Sequence, residues 1–363
     1  MILERLSILN YKNITQAELS FSAGINCFIG SNGEGKTNVI DSIYFLSFTK
    51  SATNSVDSMN IRHGEEFMML KGEYDIDGIP ETISCGLKLH HKKQFRRGDK
   101  PYKRMSEHIG LLPLILVSPN DQELILGGSE YRRRFIDSVI SQYNPLYLNY
   151  LQKYNKALVQ RNSLLREEEI PTELIEAYEE IMAGTGEWIY AERKKFIESF
   201  IPVFQDYYQQ ISSSKETVGI EYVSHCERGP LLDVIRKDRH KDQAVGYSLH
   251  GIHKDDIVMT QNGYPIKKEA SQGQSKTYLI SLKLSQFNFL KQTGSHTTPL
   301  LLLDDIFDKL DTQRVSNIIE LVSAENFGQI FITDTNRENL ERIISCVNGN
   351  HKIFTVKGGE ISL

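Results

Sequence analysis

Ile25-Asn-Cys-Phe-Ile-Gly-Ser-Asn-Gly-Glu-Gly-Lys-Thr37 is the stretch that decides the fold of this chain. From Gly30 onward it matches the pattern G-x-x-x-x-G-K-[ST], in which glycines let backbone N–H groups turn toward phosphate oxygens. An apolar strand precedes the pattern and a helical repeat follows it, which is the context that a phosphate loop requires. We therefore predict a nucleotide site formed by Gly30, Ser31, Asn32, Gly33, Glu34, Gly35, Lys36, Thr37 and Asn38.

A second feature is the apolar strand Leu300–Leu303, which ends in Asp304 and Asp305. Unpaired carboxylates are costly to bury, so these acids must be hydrated, paired or bound to a cation. Beside a phosphate loop, the first acid faces Mg²⁺ through its water shell and the second orients the attacking water. We predict ATP and Mg²⁺ as cofactors, with Thr37 and Asp304 at the metal and with Lys36 and Asp305 as catalytic residues. Taken alone, the strand could equally end in a polar turn.

The segment Ala270-Ser-Gln-Gly-Gln274 precedes a strongly periodic helix, Leu279–Leu290. Ser271 suits an N-cap, and Gly273 permits close approach of a ligand to the backbone. By itself this pentapeptide is compatible with an ordinary polar helix cap. Its order in the chain, after the phosphate loop and before Asp304, favours a role at the nucleotide.

Strand and helix patterns alternate at the two ends of the chain, which predicts one α/β domain closed by both termini. Residues 66–96 alternate as antiparallel strands with Gly-rich turns, and residues 111–117 form a buried strand. Glycine thins out between 125 and 245, where long helical patterns indicate an inserted, mostly helical domain. We predict a first ATPase part at 1–124, the insert at 125–245 and a second ATPase part at 246–363.

Composition limits the alternatives. The net charge of −5 means that any contact with nucleic acid must come from local basic patches. Four scattered cysteines without a C-x-x-C pair argue against a zinc site or a disulfide framework and suit a reducing cytosol. The amino terminus lacks the basic start and apolar stretch of a secretion signal, and no run of about 18 apolar residues predicts a membrane helix. We expect a cytoplasmic protein with no membrane partner.

The three motifs together resemble the ABC-type ATPase heads of the SMC, Rad-type and RecF families, and further stretches favour the RecF family. These stretches are Leu6–Ile14, Gly35–Ile43, Ser118–Asp121, Gly127–Asp137, Gly251–Asp256 and Leu301–Asp311. The chain departs from the family where Ser275-Lys276 follows the signature in place of Gln-Arg. Thr333-Asp334-Thr335 also holds no histidine at the usual switch position, and Gln122 is our candidate for the glutamine of the Q-loop.

The resemblance implies an α/β fold, namely an ABC-type P-loop ATPase head with an antiparallel β subdomain and an inserted, mostly helical arm. It implies that the signature acts on the nucleotide of the opposite subunit and that Asp311 is the D-loop acid at the seam of an ATP-dependent homodimer. The signature residues are Ser271, Gln272, Gly273 and Gln274. The implied protein is a weak, DNA-stimulated ATPase switch that binds gapped DNA and single-strand/double-strand junctions. It is implied to work with RecO and RecR and to assist RecA loading.

Two basic stretches are candidates for contact with DNA. Residues 90–104 hold seven Lys or Arg and one Asp, and such a stretch follows a phosphate backbone without reading bases. The predicted contacts are Lys92, Lys93, Arg96 and Arg97, together with Arg132, Arg133 and Arg134. The alternatives are a solvated hairpin face for the first stretch and structural ion pairing with nearby acids for the second.

Three other functions fit part of the sequence. An SMC-type structural head requires a long coiled coil, but heptads are not sustained and the insert has only about 120 residues. In an ABC importer subunit the phosphate loop and the signature usually lie much closer together. A nuclease would need an added acidic metal cluster. Binding to gapped DNA with and without ATP separates these interpretations.

Overall fold

The structure is a computed structural model that describes residues 1–212, 216–293, 297–307, 310–324, 327–337, 341, 344 and 350–363. Its contacts divide the chain into two units, one made of residues 1–121, 210–213 and 272–363 and the other of residues 122–209 and 214–271. The second unit therefore extends further toward the carboxyl terminus than the predicted insert at 125–245. The reason is a sheet in which Val218–Val223 pairs with Asp256–Gln261, because these strands had been assigned to different domains.

One layer of the first unit is an antiparallel sheet that includes the antiparallel strands predicted at residues 66–96. Its strands are Ile2–Tyr11 (β1), Ile14–Ser20 (β2), Phe67–Ile76 (β4), Ile79–Lys88 (β5), Gln94–Arg97 (β6) and Lys100–Pro101 (β7). They lie in the order β2-β1-β4-β5-β6-β7. Apolar side chains alternate along β4 and β5, so one face of the sheet joins the core. The hairpin of β6 and β7 lies at one edge.

The other layer is a mostly parallel sheet. Its strands are Ile25–Ile29 (β3), Leu114–Val117 (β8), Leu300–Asp304 (β12), Ile330–Asp334 (β13), His351–Lys357 (β14) and Glu360–Ser362 (β15). They lie in the order β15-β14-β3-β13-β12-β8, and β12 and β13 are buried along their whole length. Since parallel strands end at the same edge of a sheet, the segments that follow β3, β8, β12 and β13 meet at that edge.

Three α-helices of the described residues lie wholly in the first unit: Lys36–Phe48 (α1), Gln272–Thr293 (α9) and Thr312–Ala324 (α10). Helix α1 contacts strands of both sheets, and its buried residues join the two layers in one apolar core. Helix α9 packs against β8. Because α1 begins inside the phosphate loop, the core of the unit fixes the position of that loop.

The second unit combines helices with a small sheet. Its helices are Glu123–Leu126 (α2), Ser129–Tyr143 (α3), Pro145–Leu164 (α4), Thr172–Ser212 (α5, of which the last residues belong to the first unit), Leu231–Lys237 (α6), Arg239–Val245 (α7) and Ile266–Glu269 (α8). Its strands are Val218–Val223 (β9), Asp256–Gln261 (β10) and Tyr264–Pro265 (β11). Helices α3 and α4 are separated at Asn144, which caps α4, and Pro145 is the first residue of α4.

Buried charges hold the second unit together. The guanidinium of Arg161 pairs with Glu179 and Asp242, and all three side chains are inaccessible or nearly so. Arg193 is equally buried and pairs with Asp137 and Asp255. Removing one partner of such a pair would leave an uncompensated buried charge, so these arginines are structural. None of the helices in the described part of the chain combines the length and the apolar character that crossing a bilayer requires.

Candidate nucleotide-binding site

The phosphate loop joins β3 to α1, the local context that the sequence indicated. Gly30 follows β3 directly, and Lys36 and Thr37 are the first residues of α1. Gly35 has a φ of 113°, in the left-handed region that favours glycine. A Cβ at Gly35 would also come within 2.7 Å of the side chain of Asn13. The exposed residues of the loop are Ser31, Asn32 and Gly33.

The ammonium group of Lys36 points into the loop. Its Nζ donates hydrogen bonds to the carbonyl oxygens of Gly30, at 2.8 Å, and of Ser31, at 3.1 Å. The residue is only 4% exposed, so these acceptors are what satisfy a buried charge. The ammonium is thereby kept where the phosphate oxygens of a nucleotide would bind.

Asn13 fixes the phosphate loop, although it was not among the predicted site residues. Its Nδ2 donates to the carbonyl of Glu34 at 3.0 Å, and its Oδ1 accepts from Nδ2 of Asn38 at 2.7 Å. The turn between β14 and β15 holds the same glutamate, because the backbone N–H of Gly359 donates to the Glu34 carbonyl at 2.9 Å and that of Gly358 to its carboxylate. No local pattern indicated this role, since Asn13 and Glu34 are 21 residues apart.

The carboxylate of Asp304 meets two hydroxyl groups. Oγ1 of Thr37 donates to Oδ1 of Asp304 at 3.0 Å, and Oγ1 of Thr333 donates to the same atom at 2.7 Å. Burial raises the pKa of the Asp304 carboxyl, and the two hydrogen bonds oppose that rise. A hydroxyl and a carboxylate at this separation are hard oxygen donors of the kind that hold Mg²⁺ in P-loop proteins. The two predicted metal residues therefore lie together and fit the ion.

Asp305 adopts a backbone conformation that is uncommon for a residue other than glycine. Its φ is 49°, and its N–H donates to Oγ1 and to the carbonyl oxygen of Thr333, at 3.1 and 3.3 Å. Strained backbone of this kind is concentrated at functional sites. Thr333 thus holds both acids at the end of β12. From the sequence, this segment stands out only for its lack of a histidine, and nothing in it indicates the positioning role of Thr333.

A cavity of about 230 Å³ opens beside Thr37 and Asp304. Asn120 lines it, whereas the predicted Q-loop residue Gln122 lies in the second unit. The segment after β8 therefore reaches the site through Asn120. A larger hollow of about 550 Å³ lies at residues 21–23 and 350–352. These residues precede β3 and begin β14, at the opposite edge of the parallel sheet from the phosphate loop.

The predicted signature begins a helix. Ser271 is exposed and directly precedes α9, at the N-cap position, and the next three signature residues form the first turn. Gly273 lies against α10, since a Cβ there would be 2.7 Å from Nη1 of Arg314. Asp311, the predicted D-loop acid, caps α10 by accepting a hydrogen bond from the backbone N–H of Arg314 at 2.9 Å. Arg314 was not predicted, because it lies outside every motif.

The predicted DNA contacts of the first unit differ in their partners. Lys93 pairs with Asp57 at 2.8 Å, and Arg97 pairs with Glu81. Across the part of the chain that the structure describes, five exposed cations around the β6–β7 hairpin have no ion-pair partner: Lys92, Arg96, Lys100, Lys103 and Arg104. We call these five residues the hairpin patch. The sequence alone could not separate free from paired cations in this stretch.

The three predicted arginines of the second unit also differ. Nε and Nη2 of Arg132 donate to the two carboxylate oxygens of Asp256, at 2.7 and 3.0 Å, and Nη1 of Arg133 donates to the carbonyl of Asp255 at 2.7 Å. Arg132 thus matches the alternative of structural ion pairing, whereas Arg133 is bonded to a backbone carbonyl. Arg134 is exposed and pairs with an acid one helical turn away, so it keeps the character of a surface cation.

Comparison with known sequences gives a consistent family. A family model described as an AAA ATPase domain matches residues 1–345. The chain is 57% identical over 364 residues to the DNA replication and repair protein RecF of Phocaeicola vulgatus, an alignment that covers 100% of this chain and 98% of the relative. It is 45% identical over 360 residues to the RecF protein of Flavobacterium johnsoniae, covering 98% of this chain and 100% of the relative.

The comparison with solved structures agrees with the comparison of sequences. The recombination mediator protein RecF with ATP, from the RecFOR pathway, matches with a TM-score of 0.89 at 28% identity and covers 99% of this chain and 97% of that one. An Smc head bound to the C-winged helix domain of ScpA matches with a TM-score of 0.60 at 15% identity and covers 100% of this chain and 96% of that one. The second match is a likeness of fold alone.

Proposed function

This chain belongs to the RecF family of DNA replication and repair proteins, and from that premise we propose that it is an ATP-gated clamp on gapped DNA. The family makes it an ATPase of recombinational repair. This proposal rests on the observation that the residues of the nucleotide site lie on one side of it. Lys36, Thr37 and Asp304 converge at the carboxyl edge of the parallel sheet. The signature instead begins α9 and contacts α10.

The residues at this edge suit slow hydrolysis of ATP. Lys36 would bind the β- and γ-phosphates, and the oxygens of Thr37 and Asp304 would hold Mg²⁺, which when bound neutralises phosphate charge. Asp305 would orient the attacking water from the turn that Thr333 fixes. The absence of a histidine in the segment 333–335 supports weak turnover, as expected of a switch that resets rather than of a motor.

The second half of the site would come from a second copy of the chain. The exposed Ser271 and the first turn of α9 present a hydroxyl and backbone N–H groups to an anion. In a two-fold dimer each signature would face the nucleotide of its partner, with two nucleotides at the seam. ATP would favour this closed state because only ATP supplies a γ-phosphate to the signature, whereas ADP would bind the open monomer.

DNA would contact the closed dimer through cations such as the hairpin patch, with Arg134 as a further candidate. The free cations of the patch suit phosphate contacts, which are independent of base sequence. The names of the solved relatives place those proteins in the RecFOR pathway. We therefore propose RecO and RecR as partners, assistance of RecA loading as the outcome, and the cytoplasm, where this DNA lies, as the location.

The test combines molar mass and DNA binding. Light scattering after size exclusion should show a dimer with ATP and a monomer with ADP, and fluorescence anisotropy should show tighter binding to gapped than to blunt duplex DNA only with ATP. Asp305→Asn should bind ATP, hydrolyse it slowly and accumulate the dimer. Ser271→Arg should bind ATP as a monomer and fail to close.

A mixture of variants checks that the signature acts on the partner. Ser271→Arg with Lys36→Ala protein creates one seam with a sound phosphate loop and a sound signature, so part of the dimer signal should return. A mixture that stays monomeric at high protein concentration, or a Ser271→Arg protein that dimerises alone, would contradict the proposed dimer. Equal affinity for gapped and blunt DNA would contradict the proposed substrate.

A further inference from the structure

A cation that no motif includes lies against the first turn of α9. The guanidinium of Arg314, in the first turn of α10, lies directly against Gly273, because a Cβ built on that glycine would be 2.7 Å from Nη1. A side chain at position 273 would therefore displace the guanidinium. The bare backbone of Gly273 is what allows the cation to lie at the start of the signature helix.

Most of the hydrogen-bonding capacity of Arg314 is unused within the protomer. Its Nε lies 3.4 Å from Oδ2 of Asp311, which is an ion pair at more than hydrogen-bonding distance. Its two terminal amino groups donate no hydrogen bond to any residue that the structure describes, although the side chain is only 21% exposed. A guanidinium presents five N–H donors in a planar fork, and most of those of Arg314 are unused. Arg314 can therefore donate hydrogen bonds to an anionic acceptor.

The ion pair with Asp311 does not explain this placement. Asp311 is 57% exposed and stands three residues before Arg314 on the same helix end, and ion pairs of this kind contribute little to stability. Asp311 also caps α10 through the backbone N–H of Arg314, a bond that any residue at position 314 would make. The position of the Arg314 guanidinium against Gly273 therefore needs an explanation other than its ion pair with Asp311.

We propose that Arg314 binds the γ-phosphate of the partner's ATP and is the cationic part of the signature. This inference rests on the dimer proposed above, in which the first turn of α9 faces the opposite nucleotide and Gly273 marks the closest approach. A guanidinium at that point reaches γ-phosphate oxygens and donates charge-assisted, bidentate hydrogen bonds to them. ADP offers no such oxygens, so Arg314 makes closure depend on the third phosphate.

The first test measures the dissociation constant of the dimer by sedimentation with ATP, in the Asp305→Asn background to suppress turnover. Arg314→Ala should raise this constant at least about tenfold, because a hydrogen bond to a charged group is lost at each seam. Arg314→Lys preserves the charge beside Asp311 but loses the planar fork, so it should also dimerise more weakly than its parent. The affinity of the monomer for ATP should be unchanged in both.

Mixing distinguishes action on the partner from action within one chain. In a mixture of Arg314→Ala and Lys36→Ala proteins, the Arg314→Ala chain has the sound phosphate loop and the Lys36→Ala chain has the sound arginine. Part of the dimer signal should return if Arg314 acts on the partner's nucleotide. It cannot return if Arg314 acts on its own nucleotide, since every bound ATP then lies in a chain without the arginine.

Lys352→Ala is the matched control, because it removes one positive charge at the opposite edge of the parallel sheet and should dimerise as the parent does. A parent protein that stays monomeric with ATP overturns the proposed dimer, and this inference with it. A parent that dimerises while Arg314→Ala or Arg314→Lys dimerises equally well overturns the inference alone. An Arg314→Ala mixture with no recovery, where the Ser271→Arg mixture recovers, overturns action on the partner.

Discussion

The hydroxyl of Thr37 donates a hydrogen bond to Oδ1 of Asp304 at 3.0 Å, across 267 residues of sequence. Thr37 lies in the first turn of α1, and Asp304 ends strand β12 near the far end of the chain. Neither could bind a nucleotide-bound metal alone. Their meeting is a consequence of the parallel sheet, which delivers the ends of β3 and β12 to one edge.

Lys36→Ala should lose most of its affinity for ATP. The ammonium lies inside the phosphate loop, and no other cationic side chain is among the predicted residues of that loop. Titration calorimetry with Mg²⁺ and ATP should show a dissociation constant raised at least about tenfold, the cost of losing a charge-assisted hydrogen bond to phosphate. Lys352→Ala serves as the control. An unchanged dissociation constant for ATP in Lys36→Ala would contradict the assignment of the phosphate loop.

Thr333→Val should raise the Mg²⁺ concentration that half-maximal ATP hydrolysis requires, without unfolding the protein. The substitution keeps the shape of the side chain but deletes the hydroxyl that bonds Asp304 at 2.7 Å and accepts from the N–H of Asp305. Loss of such a supporting bond typically costs about 10- to 100-fold in metal affinity or activity. The measurement is hydrolysis against Mg²⁺ concentration, with Thr82→Val on the antiparallel sheet as the control. A Thr333→Val curve that overlays the wild type would show that Thr333 only fills space.

Neutralising the hairpin patch should weaken DNA binding equally for all sequences. Lys92→Ala with Arg96→Ala removes two free cations, so the slope of log affinity against log salt should become shallower by up to about 2. Arg97→Ala is the matched comparison, because this neighbour is already paired with Glu81 and should change the slope less. Anisotropy over a salt series measures both. Equal slopes for all three proteins would indicate that the hairpin is a solvated face.

Acid should destabilise the first unit through His108. This histidine is fully buried, with Nε2 bonded to the carbonyl of Leu46 at 2.6 Å and Nδ1 to the hydroxyl of Tyr102 at 3.0 Å. Burial lowers the pKa of His108 from 6.5 to about 4. Between those two values the unfolded chain binds more protons, so the stability contributed by neutral His108 is present above pH 6.5 and is lost as the pH falls toward 4.

The matched variant for this effect is His108→Gln, which has no titrating ring. From pH 7.5 to pH 5, wild type should lose about 2 kcal/mol more unfolding free energy than His108→Gln loses. Urea unfolding at the two pH values measures this difference. An identical loss in both proteins would mean that His108 is protonated in the folded state or does not titrate on unfolding.

Local patterns in the sequence predicted much of the nucleotide site. The glycines and the Lys-Thr pair of Gly30–Thr37, and the acids that end Leu300–Asp304, report chemistry that adjacent residues perform together. Most strands of both sheets could be predicted for the same reason, since alternation and apolar runs are properties of neighbouring residues, but β2, β14 and β15 were not predicted. The family resemblance then supplied the role of the signature, which its five residues do not reveal.

The tertiary structure alone decided which side chains support that chemistry. Asn13 holds the phosphate loop, Thr333 holds two acids, and Arg314 lies against Gly273. In each case the two partners lie far apart in the sequence, and only the fold brings them together. The same holds for charge: a run of cations looks uniform in the sequence, but the fold pairs Arg97 with Glu81, whereas Arg96 has no ion pair among the described residues. It also holds for the second unit, whose boundary depends on β9 pairing with β10. Periodicity records the surroundings of a residue along its own strand or helix, and it carries no record of the partners that folding brings from elsewhere in the chain.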